Sequence, residues 1–438
     1  MARPATQRRL GIWMNGEHVG DWDTGRHGQQ SFRYAADWLD SPAVRPLSLS
    51  MPVQAPDQVY TDERVENFFD NLLPDSIDIR RRIQQRFSAA STRPFDLLAE
   101  LGRDCVGAIQ LLPGDTEPGD LRTITGQRLS DSDVADRLRR VPMTPLPGQA
   151  DDEFRISIAG AQEKTALLWH DGAWHQPEGP TPSTHIFKLP LGRVGDMQAD
   201  LSTSVENEWL CHQILAAYGL PVAECEMATF EDQKALISRR FDRKLAGTGD
   251  WWLRLPQEDL CQALAVSPDQ KYERDGGPGI PTIMDLLLGA HEPIANRELF
   301  FKSQILFWML AAMDGHAKNF SVYIEPQGRY RLTPFYDILS ALPVIGQGTS
   351  LIAPQKVRMA MAMTGRNRHY EWDKIQRRHI VETGHRSGLD VEPIINKVIE
   401  QTPEVVETVR SKLPAQFPEQ VSRPVLSGLL EKSTRLKS

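Results

Sequence analysis

The sequence predicts an α+β protein in which an N-terminal α/β domain precedes a larger, mainly helical domain that carries a small sheet. Three observations lead to this fold class. The chain has 438 residues, more than the ~100 to 200 residues of one ordinary domain. Hairpin patterns recur in both halves, and amphipathic helical patterns dominate beyond about residue 245. With 40% hydrophobic and 25% charged residues, the composition is that of a globular protein.

The N-terminal domain is expected to begin with strands and to continue with helices. Residues 10–34 contain Asn15-Gly16 between two apolar runs, which predicts a β-hairpin with a type I′ turn. A further short strand is expected near residues 31–34. Between residues 62 and 101, apolar side chains recur at spacings of three and four, which predicts amphipathic helices.

A domain boundary is predicted where Pro, Gly, Asp and Thr become frequent, between residues 113 and 152. We place it near residue 150, which gives domains at 1–150 and 151–438. The second domain should begin with a strand at 154–160, a hairpin that turns at His170-Asp171-Gly172, and a third strand in THIFKLP. A small sheet of this kind could cover a nucleotide.

Helical patterns fill most of the remaining chain, including a strongly apolar stretch at residues 297–313. One β-hairpin interrupts them at residues 320–337, where Gln327-Gly328 supplies the turn. The second domain should therefore be mainly helical after about residue 245.

Charge and cysteine content exclude several classes of protein. A net charge of -8 opposes attraction of nucleic acid to the whole surface, so any such contact needs a local basic patch. The four cysteines lie far apart without a CxxC pair, which argues against a disulfide framework or a structural zinc site. The N-terminus lacks a signal-peptide apolar region, and no window approaches the ~20 apolar residues of a membrane span. We expect a protein of the reducing cytoplasm.

The most informative motif is MDGHAKNF at residues 313–320, a short loop between an apolar helix and a strand. Asp314 and Asn319 have the D-x-x-x-x-N spacing of a kinase catalytic loop, in which Asp accepts the substrate proton and Asn binds Mg²⁺. His316 and Lys318 could then contact phosphates. An isolated Asp and Asn are more often turn or capping residues. His316 could also suggest zinc, but no second His or Cys lies at ligand spacing.

A second carboxylate, Asp337, ends the PFYD segment after the predicted hairpin. The hairpin would return this carboxylate to the catalytic loop, as the metal-binding Asp of an Asp-Phe-Gly element is placed. Oxygen ligands converging from a loop and a hairpin end suit Mg²⁺, which keeps phosphate and water among its ligands.

Two further segments could bind phosphate. In SIAGAQEK, residues 157–164, the small residues Ala159, Gly160 and Ala161 would let backbone N–H groups approach a phosphate, although a simple hairpin turn explains them about as well. Neither a Walker A motif nor a Rossmann fingerprint is present. Lys188 ends an apparent strand, where a lysine needs a partner, and a phosphate group could supply one. Glu208 is a better candidate than Glu206 for the carboxylate that pairs with this lysine. Residues 235–243 are typical of a strand entering a hinge that could face adenine.

Together these segments closely resemble the HipA family, the kinase toxins of bacterial toxin–antitoxin pairs. The resemblance covers nearly the whole chain and includes RPLSLSMPV, NFFDNLLPDS, RPFDLL, RISIAGAQEKTALL, KYERDGGPGI and DGHAKNFSVYI. It implies an N-terminal α+β domain and a kinase-like domain that binds ATP and Mg²⁺ between lobes. It further implies that Asp314 is the catalytic base, that Asn319 and Asp337 bind Mg²⁺, and that Lys188 binds phosphate.

The resemblance also implies a set of nucleotide-site residues and partners. The nucleotide-site residues are Ala159, Gly160, Ala161, Gln162, Glu163, Lys164, Lys188, Arg239, Arg240, Phe241, His316, Ala317, Lys318, Asn319, Tyr336 and Asp337. Ser157 would be autophosphorylated, which would inactivate the kinase by ejecting the phosphate loop. The implied partners are a HipB-like antitoxin, operator DNA through that antitoxin, and glutamyl-tRNA synthetase as substrate. The basic residues His385 and Arg386 could contact DNA, although a solvated helical face is the more common role.

This chain departs from the family pattern at one position, because Arg239 precedes Arg-Phe-Asp where the family carries an acidic residue. Recognition of adenine through the backbone would survive this change. Two other functions fit part of the sequence. An inactive ATP-binding scaffold could act only as a co-repressor, although every catalytic position is present. A small-molecule phosphotransferase would fit the D-x-x-x-x-N arrangement but would not explain the N-terminal half.

Overall fold

A computed structural model of the protein describes residues 8–25, 27–55, 57–143, 162–194 and 199–437. Its first part contains an antiparallel sheet of order β4-β3-β2-β1-β5. The strands are β1 (Arg8–Met14), β2 (Glu17–Thr24), β3 (Gln30–Tyr34), β4 (Val59–Tyr60) and β5 (Ile109–Pro113). Asn15 and Gly16 both have positive φ, 49° and 91°, as a type I′ turn requires. The predicted N-terminal hairpin is confirmed.

Helices cover one face of this sheet, as the periodicity between residues 62 and 101 predicted. They are α1 (Ala36–Leu39), α2 (Glu63–Asp70), α3 (Ile77–Phe87) and α4 (Pro94–Leu101). The Asp62 and Ser76 side chains accept backbone N–H groups of α2 and α3, so both helices begin at N-cap residues. The fully buried Trp22 ring stacks on Phe69 with centroids 3.8 Å apart, which joins the sheet to α2.

A second sheet, of order β12-β13-β9-β7-β8-β6, lies in the second part of the chain. The remaining strands, in chain order, are β6 (Gly126–Leu129), β7 (Lys164–His170), β8 (Ala173–Pro177), β9 (His185–Lys188), β10 (Gly192–Val194), β11 (Ala199–Leu201), β12 (Cys225–Phe230), β13 (Gln233–Arg239), β14 (Arg243–Leu245), β15 (Trp252–Arg254), β16 (Gln257–Asp259), β17 (Ser321–Ile324), β18 (Tyr330–Leu332), β19 (Arg358–Thr364) and β20 (Arg368–Glu371). Asp171 and Gly172 adopt positive φ between β7 and β8, which confirms that hairpin.

The boundary predicted near residue 150 and the strand predicted at 154–160 lie outside the described residues. Residues before that position already join the second sheet, because β6 pairs with β8. The helix that follows β6 also packs on this sheet through buried Val134 and Leu138. The position of the boundary therefore stays a prediction.

Helices dominate the rest of the chain. They are α5 (Asp131–Arg140), which follows β6, and then α6 (Ser204–Ala217), α7 (Leu260–Ala263), α8 (Ile280–Leu286), α9 (Pro293–Leu310), α10 (Arg377–Arg386), α11 (Glu392–Lys412) and α12 (Glu419–Leu436). Residues 257–266, QEDLCQALAV, have a helical pattern in the sequence, but only Leu260–Ala263 form a helix. Residues 257–259 pair with β17 instead, and Ala265 takes a left-handed conformation with φ 58°. Within the described residues, no helix has the length and apolar character that crossing a bilayer requires.

The hairpin predicted at residues 320–337 is confirmed and places the two segments that flank it side by side. β17 pairs with β16 on one side and with β18 on the other. Gln327 and Gly328 have φ of 66° and 73° in the turn. The loop that precedes β17 and the segment that follows β18 therefore emerge at the same end of the sheet.

A buried ionic cluster joins the two parts of the chain. Asp104, which precedes β5, lies 2.8 Å from Arg243 Nη2 and 3.2 Å from Arg240 Nη1. Asp242 pairs with Arg240 at 2.8 Å, and each of these four side chains is at most 5% exposed. Since Arg240 and Arg243 flank the hinge after β13, the N-terminal part holds the hinge directly.

Candidate active site

A cleft lies between the central strands β13, β9 and β7 of the second sheet and the β16–β17–β18 sheet. It encloses about 1030 Å³, its open mouth included, which is enough room for a nucleotide. Its wall includes Asp75, Lys164, Lys188, Arg239, Arg240, Phe241, Lys271, Asp314, His316, Lys318, Asn319, Tyr336 and Asp337. Segments from both domains therefore line one cleft.

Lys188 lies at the end of β9 and bridges two carboxylates. Its Nζ donates to Glu208 Oε1 at 2.6 Å and to Asp337 Oδ1 at 2.7 Å. The other candidate partner, Glu206, pairs with Lys234 instead. Burial alone would lower the pKa of Lys188, but the charges of Asp337 and Glu208 outweigh burial and raise it. Lys188 is therefore a fixed cation.

Asp337 adopts a left-handed backbone conformation with φ 59°, which is uncommon for a residue other than glycine. This conformation lies directly after Tyr336 and turns the carboxylate toward Lys188. Burial opposes ionisation of Asp337, yet Lys188 and Lys164 lower its pKa well below the usual range. Strained residues of this kind concentrate at functional sites.

Asp314 lies at the mouth of the cleft with 59% of its side chain exposed. Helix α9 ends at Leu310, and the next residue, Ala311, takes a left-handed conformation with φ 50° where the loop begins. The Asp314 carbonyl accepts His316 N–H at 2.8 Å and Asn319 Nδ2–H at 2.7 Å, which fixes the loop. The Tyr272 hydroxyl donates to the Asp314 carboxylate. A hydroxyl group can thus reach this carboxylate.

The remaining loop residues lie behind Asp314. His316 is buried, and burial lowers its pKa, so the imidazole is neutral at neutral pH. Ala317 is buried under the loop and does not line the cleft. Lys318 extends across the cleft toward the N-terminal domain, where its Nζ lies 2.5 Å from Asp75 Oδ1.

Asn319 and Asp337 offer donors that fit Mg²⁺. Asn319 uses its amide nitrogen on the Asp314 carbonyl, which leaves Oδ1 as an acceptor on the cleft wall. Asp337 uses Oδ1 for Lys188, which leaves Oδ2. Within the described residues, no group of three or more His, Cys, Asp or Glu side chains is arranged to hold a metal. Two hard oxygen donors suit an ion that takes its other ligands from phosphate and water.

Lys164 on β7 adds a second cation to the side of the cleft that the second sheet forms. It stands directly opposite Lys188 in the β7–β9 pairing. Burial and the charge of Lys188 lower the pKa of Lys164 to about 8, against the opposing effect of Asp337. Its neighbours Gln162 and Glu163 face a separate groove, where Glu163 pairs with Arg82. Ser157, Ala159, Gly160 and Ala161, which the sequence singled out, lie outside the described residues.

The predicted hinge, which is the end of β13 and the segment after it, lines the cleft with residues 238–242. The Arg239 guanidinium is 54% exposed and lies 3.0 Å from Glu224 on the surface. The Arg240 guanidinium is buried in the ionic cluster with Asp104. The Phe241 ring lies 5.6 Å from the Tyr336 ring. The Arg240 side chain is thus held by buried partners, whereas the Arg239 side chain forms an exposed ion pair.

The sequence analysis assigned no role to Asp75 from the N-terminal domain or to Lys271, both of which line the cleft. Each belongs to a distinctive phrase, NFFDNLLPDS and KYERDGGPGI, and this is the only signal that pointed to them. His385 and Arg386 lie outside the cleft at the exposed end of α10, where Arg386 pairs with Glu382 at 2.8 Å.

Comparisons with known proteins agree with this architecture. The family model described as the HipA N-terminal domain matches residues 10–112, and the model described as the HipA-like C-terminal domain matches residues 156–409. The Sinorhizobium fredii protein Y4mE, which carries the provisional name of a kinase, is 34% identical over 342 residues, 77% of this chain and 78% of its own length. The Shewanella oneidensis serine/threonine-protein kinase toxin HipA is 28% identical over 319 residues, 70% of this chain and 69% of the toxin.

A solved structure shares the whole fold. It belongs to the Shewanella oneidensis toxin–antitoxin system of HipA, HipB and operator DNA. Its matching chain superposes with a TM-score of 0.79 and 22% sequence identity, covering 97% of each chain. The predicted fold class, an N-terminal domain followed by a kinase-like domain, is confirmed. On the strength of both family models and these relatives, the chain belongs to the HipA family.

Proposed function

We propose that this chain is an ATP-dependent serine/threonine protein kinase of the toxin–antitoxin type. One observation carries the proposal: Asp314, Asn319, Asp337 and the Lys188–Glu208 pair line or border a single cleft. These are the groups that phosphoryl transfer requires, namely a base, two metal ligands and a fixed phosphate-binding cation. The kinase names of the two relatives support the same conclusion.

The proposed reaction assigns one task to each group. Asp314 accepts the proton of the acceptor serine hydroxyl as that oxygen attacks the γ-phosphorus and ADP leaves. Its exposed position allows a protein substrate to approach, and the Tyr272 contact marks where a hydroxyl binds. Asn319 and Asp337 would hold Mg²⁺, which supplies charge neutralisation on the phosphates. Lys188 and Lys164 would bind the phosphate chain from the side of the second sheet.

The adenine end of the nucleotide would lie against the hinge. The Phe241 and Tyr336 rings offer apolar surface, and residues 238–242 line the cleft beside them. Because the guanidinium groups of Arg239 and Arg240 have protein partners, recognition through the backbone is the better fit.

Regulation and substrate follow from the family. We propose that Ser157 is autophosphorylated and that this modification inactivates the enzyme. A phosphoserine adds about -1.5 to -2 charge, which would repel the phosphates of ATP from the loop beside Lys164. Glutamyl-tRNA synthetase is the proposed substrate. The four cysteines are free thiols, three of them buried, which supports an expected site of action in the reducing cytoplasm.

A second role, as co-repressor, is proposed from the partners of the Shewanella oneidensis protein, whose structure contains HipB and operator DNA. A HipB-like antitoxin would bring this chain to DNA, with His385 and Arg386 near the phosphates. Fluorescence anisotropy of labelled operator DNA with the complex tests this role. Replacing both residues with alanine should weaken binding and reduce its salt dependence, and unchanged binding would remove them from the interface.

The kinase proposal is tested by intact-mass spectrometry of the purified protein with Mg·ATP, followed by phosphopeptide mapping. The wild type should gain one phosphate at Ser157. Asp314→Ala should gain none, while it still binds nucleotide. Asp285→Ala, which changes an exposed aspartate on α8, is the matched control and should behave as the wild type.

The competing scaffold function predicts a different result. The scaffold function would be supported if protein that starts unmodified binds ATP but gains no phosphate and phosphorylates no glutamyl-tRNA synthetase. The chain would then bind the nucleotide without transferring its γ-phosphate. Phosphate at Ser157 in both wild type and Asp314→Ala would instead remove Asp314 as the base.

A further inference from the structure

One carboxylate of the N-terminal domain reaches into the cleft and holds two lysines. Asp75 lies between α2 and α3, and its Oδ1 is 2.5 Å from Lys318 Nζ. Its Oδ2 is 2.6 Å from Lys271 Nζ. The Leu73 carbonyl of the same segment lies 3.5 Å from Lys318 Nζ. Both lysines come from the kinase-like domain, and both line the cleft.

The three charged groups are sheltered from solvent. The side chains of Asp75 and Lys271 are 15% exposed, and that of Lys318 is 3% exposed. Burial alone would raise the pKa of Asp75, but Lys318 and Lys271 lower it far below its usual range. Burial would likewise lower the pKa of Lys271, but Asp75 outweighs burial and raises it. Asp75 and Lys271 therefore hold opposite charges within this cluster.

The segment that carries Asp75 is itself fixed. Arg80 Nε donates to the Pro74 carbonyl at 2.6 Å, and Arg80 Nη1 lies 2.6 Å from Asp70. The Asn71 amide donates to the Val266 carbonyl at 2.9 Å, which attaches the segment to the kinase-like domain. Asp75 is thus held in place independently of the two lysines.

We propose that Asp75 is a positioning residue of the phosphoryl-transfer site, which holds the ammonium groups of Lys271 and Lys318 at the transferred phosphate. This inference rests on the proposed kinase function and extends the active site into the N-terminal domain. Without Asp75, two ammonium groups would share a poorly solvated site, repel each other and move apart. With Asp75, their positions are set before the phosphates arrive, so little reorganisation accompanies transfer.

Lys271 also lies beside the proposed base. The next residue, Tyr272, donates its hydroxyl to the Asp314 carboxylate. The Lys271 carbonyl accepts the Ala317 N–H at 3.3 Å, so its backbone is joined to the catalytic loop. A displacement of Lys271 would therefore be transmitted to the loop that carries Asp314.

The kinetic experiment compares full-length wild type with Asp75→Asn, Asp75→Glu and the control Asp78→Asn. Asp78 lies three positions away, is 72% exposed and pairs only with Arg81 on the same helix. Asp75→Asn should lower kcat about 10- to 100-fold, the scale of a misplaced catalytic group, with less than about 3-fold change in KM for ATP. Asp75→Glu should recover part of kcat, and Asp78→Asn should match the wild type.

The pH profile separates positioning from a general loss of structure. Besides Asp75, the titratable groups near Lys271 are Asp314, Cys261, His316 and Tyr272, together with Lys318, which shares the Asp75 carboxylate. Because Asp75 is the largest of the influences that raise the pKa of Lys271, its removal should shift the alkaline loss of activity to lower pH. Asp75→Glu should return that limb toward the wild-type position. A merely unstable variant would lose activity without moving the limb.

A measurement that needs no catalysis tests the same contact. Lys271 should react with trace acetic anhydride only at high pH in the wild type, as read by peptide mass spectrometry. In Asp75→Asn its labelling should begin at lower pH, and in Asp78→Asn it should not change. Unchanged labelling together with unchanged kcat and pH profile would overturn the positioning role while leaving the kinase function intact. If the wild type transferred no phosphate, the kinase proposal would fail and the labelling would decide the Asp75 contact alone.

Discussion

Lys188 and Asp337 are 149 positions apart in the chain, and the Lys188 ammonium donates to the Asp337 carboxylate across 2.7 Å. The contact joins β9 of the second sheet to the segment after β18, on the opposite side of the cleft. Glu208 completes the arrangement from α6 at 2.6 Å from the same ammonium. Cation and carboxylates therefore hold each other in place before any nucleotide binds.

Removal of the Lys188 charge should destabilise the fold. Lys188→Met leaves Glu208 and Asp337 without their shared cation in a site where Lys188 and Glu208 are 9% and 5% exposed. Breaking a buried pair in this way costs about 3 to 5 kcal/mol. Urea unfolding should show the loss, and Lys188→Met with Glu208→Gln should recover part of it. Lys244→Met, at an exposed position of β14, should change stability by less than about 0.5 kcal/mol. Equal losses at both positions would contradict the ion-pair account.

Stability should also depend on the ionisation of Glu258. This carboxyl on β16 is fully buried and accepts the Leu49 N–H at 2.8 Å, and burial raises its pKa to about 8. The unfolded chain releases this proton near pH 4.3, so the folded chain holds the extra proton between the two values. The stability that Glu258 contributes therefore falls as pH rises from about 5 to 8. Glu258→Gln should lose less stability than the wild type over that range, as urea unfolding at each pH would show. Parallel curves would refute the raised pKa.

The ionic cluster between the domains should be sensitive to a single change. Asp104→Asn removes the carboxylate that neutralises Arg240 and Arg243, all three of them at most 1% exposed. We expect a loss of about 3 to 5 kcal/mol in thermal or urea unfolding. Because Arg240 belongs to the hinge, nucleotide affinity should fall as well. Asp62→Ala, which removes an exposed helix cap and its ion pair with Arg64, should cost about 1 kcal/mol and leave nucleotide affinity unchanged. Equal affinity in Asp104→Asn and the wild type would uncouple the cluster from the hinge.

Gly315 separates Asp314 from His316 and has no room for a side chain. An added Cβ would lie 2.4 Å from Cδ2 of Phe307, a ring of the buried core. Gly315→Ala should therefore displace the catalytic loop and lower the phosphorylation rate about 100-fold, although every reacting group is present. Gly247→Ala, where an added Cβ meets nothing within 4 Å, is the control. A wild-type rate in Gly315→Ala would mean that the loop tolerates displacement.

Arg239 should contribute little to nucleotide binding. Its guanidinium is 54% exposed and pairs with Glu224, which is 75% exposed, so the pair is worth at most about 1 kcal/mol. Arg239→Ala should bind ATP within about 3-fold of the wild type in isothermal titration. A loss of 10-fold or more would assign the side chain to adenine recognition.

The sequence predicted those parts of the protein whose signals are local. The turns at Asn15-Gly16 and Gln327-Gly328 were predictable because few residues tolerate positive φ. The D-x-x-x-x-N spacing was recognisable because Asp314 and Asn319 lie in one loop. The choice between Glu206 and Glu208 was harder. Residues two positions apart point to nearly opposite sides of a helix, so the rotation of α6 decides which one meets Lys188.

Long-range contacts were not predictable in the same way. Asp75 lies 196 positions from Lys271 and 243 positions from Lys318, and no spacing rule connects them. The ionic cluster of Asp104, Arg240 and Arg243 depends on the packing of two domains, which no single pattern encodes. The strand pairing of β6 was missed because its four residues, GQRL, have no apolar alternation.

The Asp104 cluster also bears on the order of events during synthesis of the chain. Asp104 leaves the ribosome before its partners Arg240 and Arg243, which are 136 and 139 positions later. At ~5 to 20 residues per second, the nascent N-terminal domain waits about 7 to 30 s with this carboxylate in water. Once the arginines emerge, one contact both closes the domain junction and sets the hinge. A chain whose synthesis stops between these positions would therefore lack this contact, and its nucleotide cleft would not have formed.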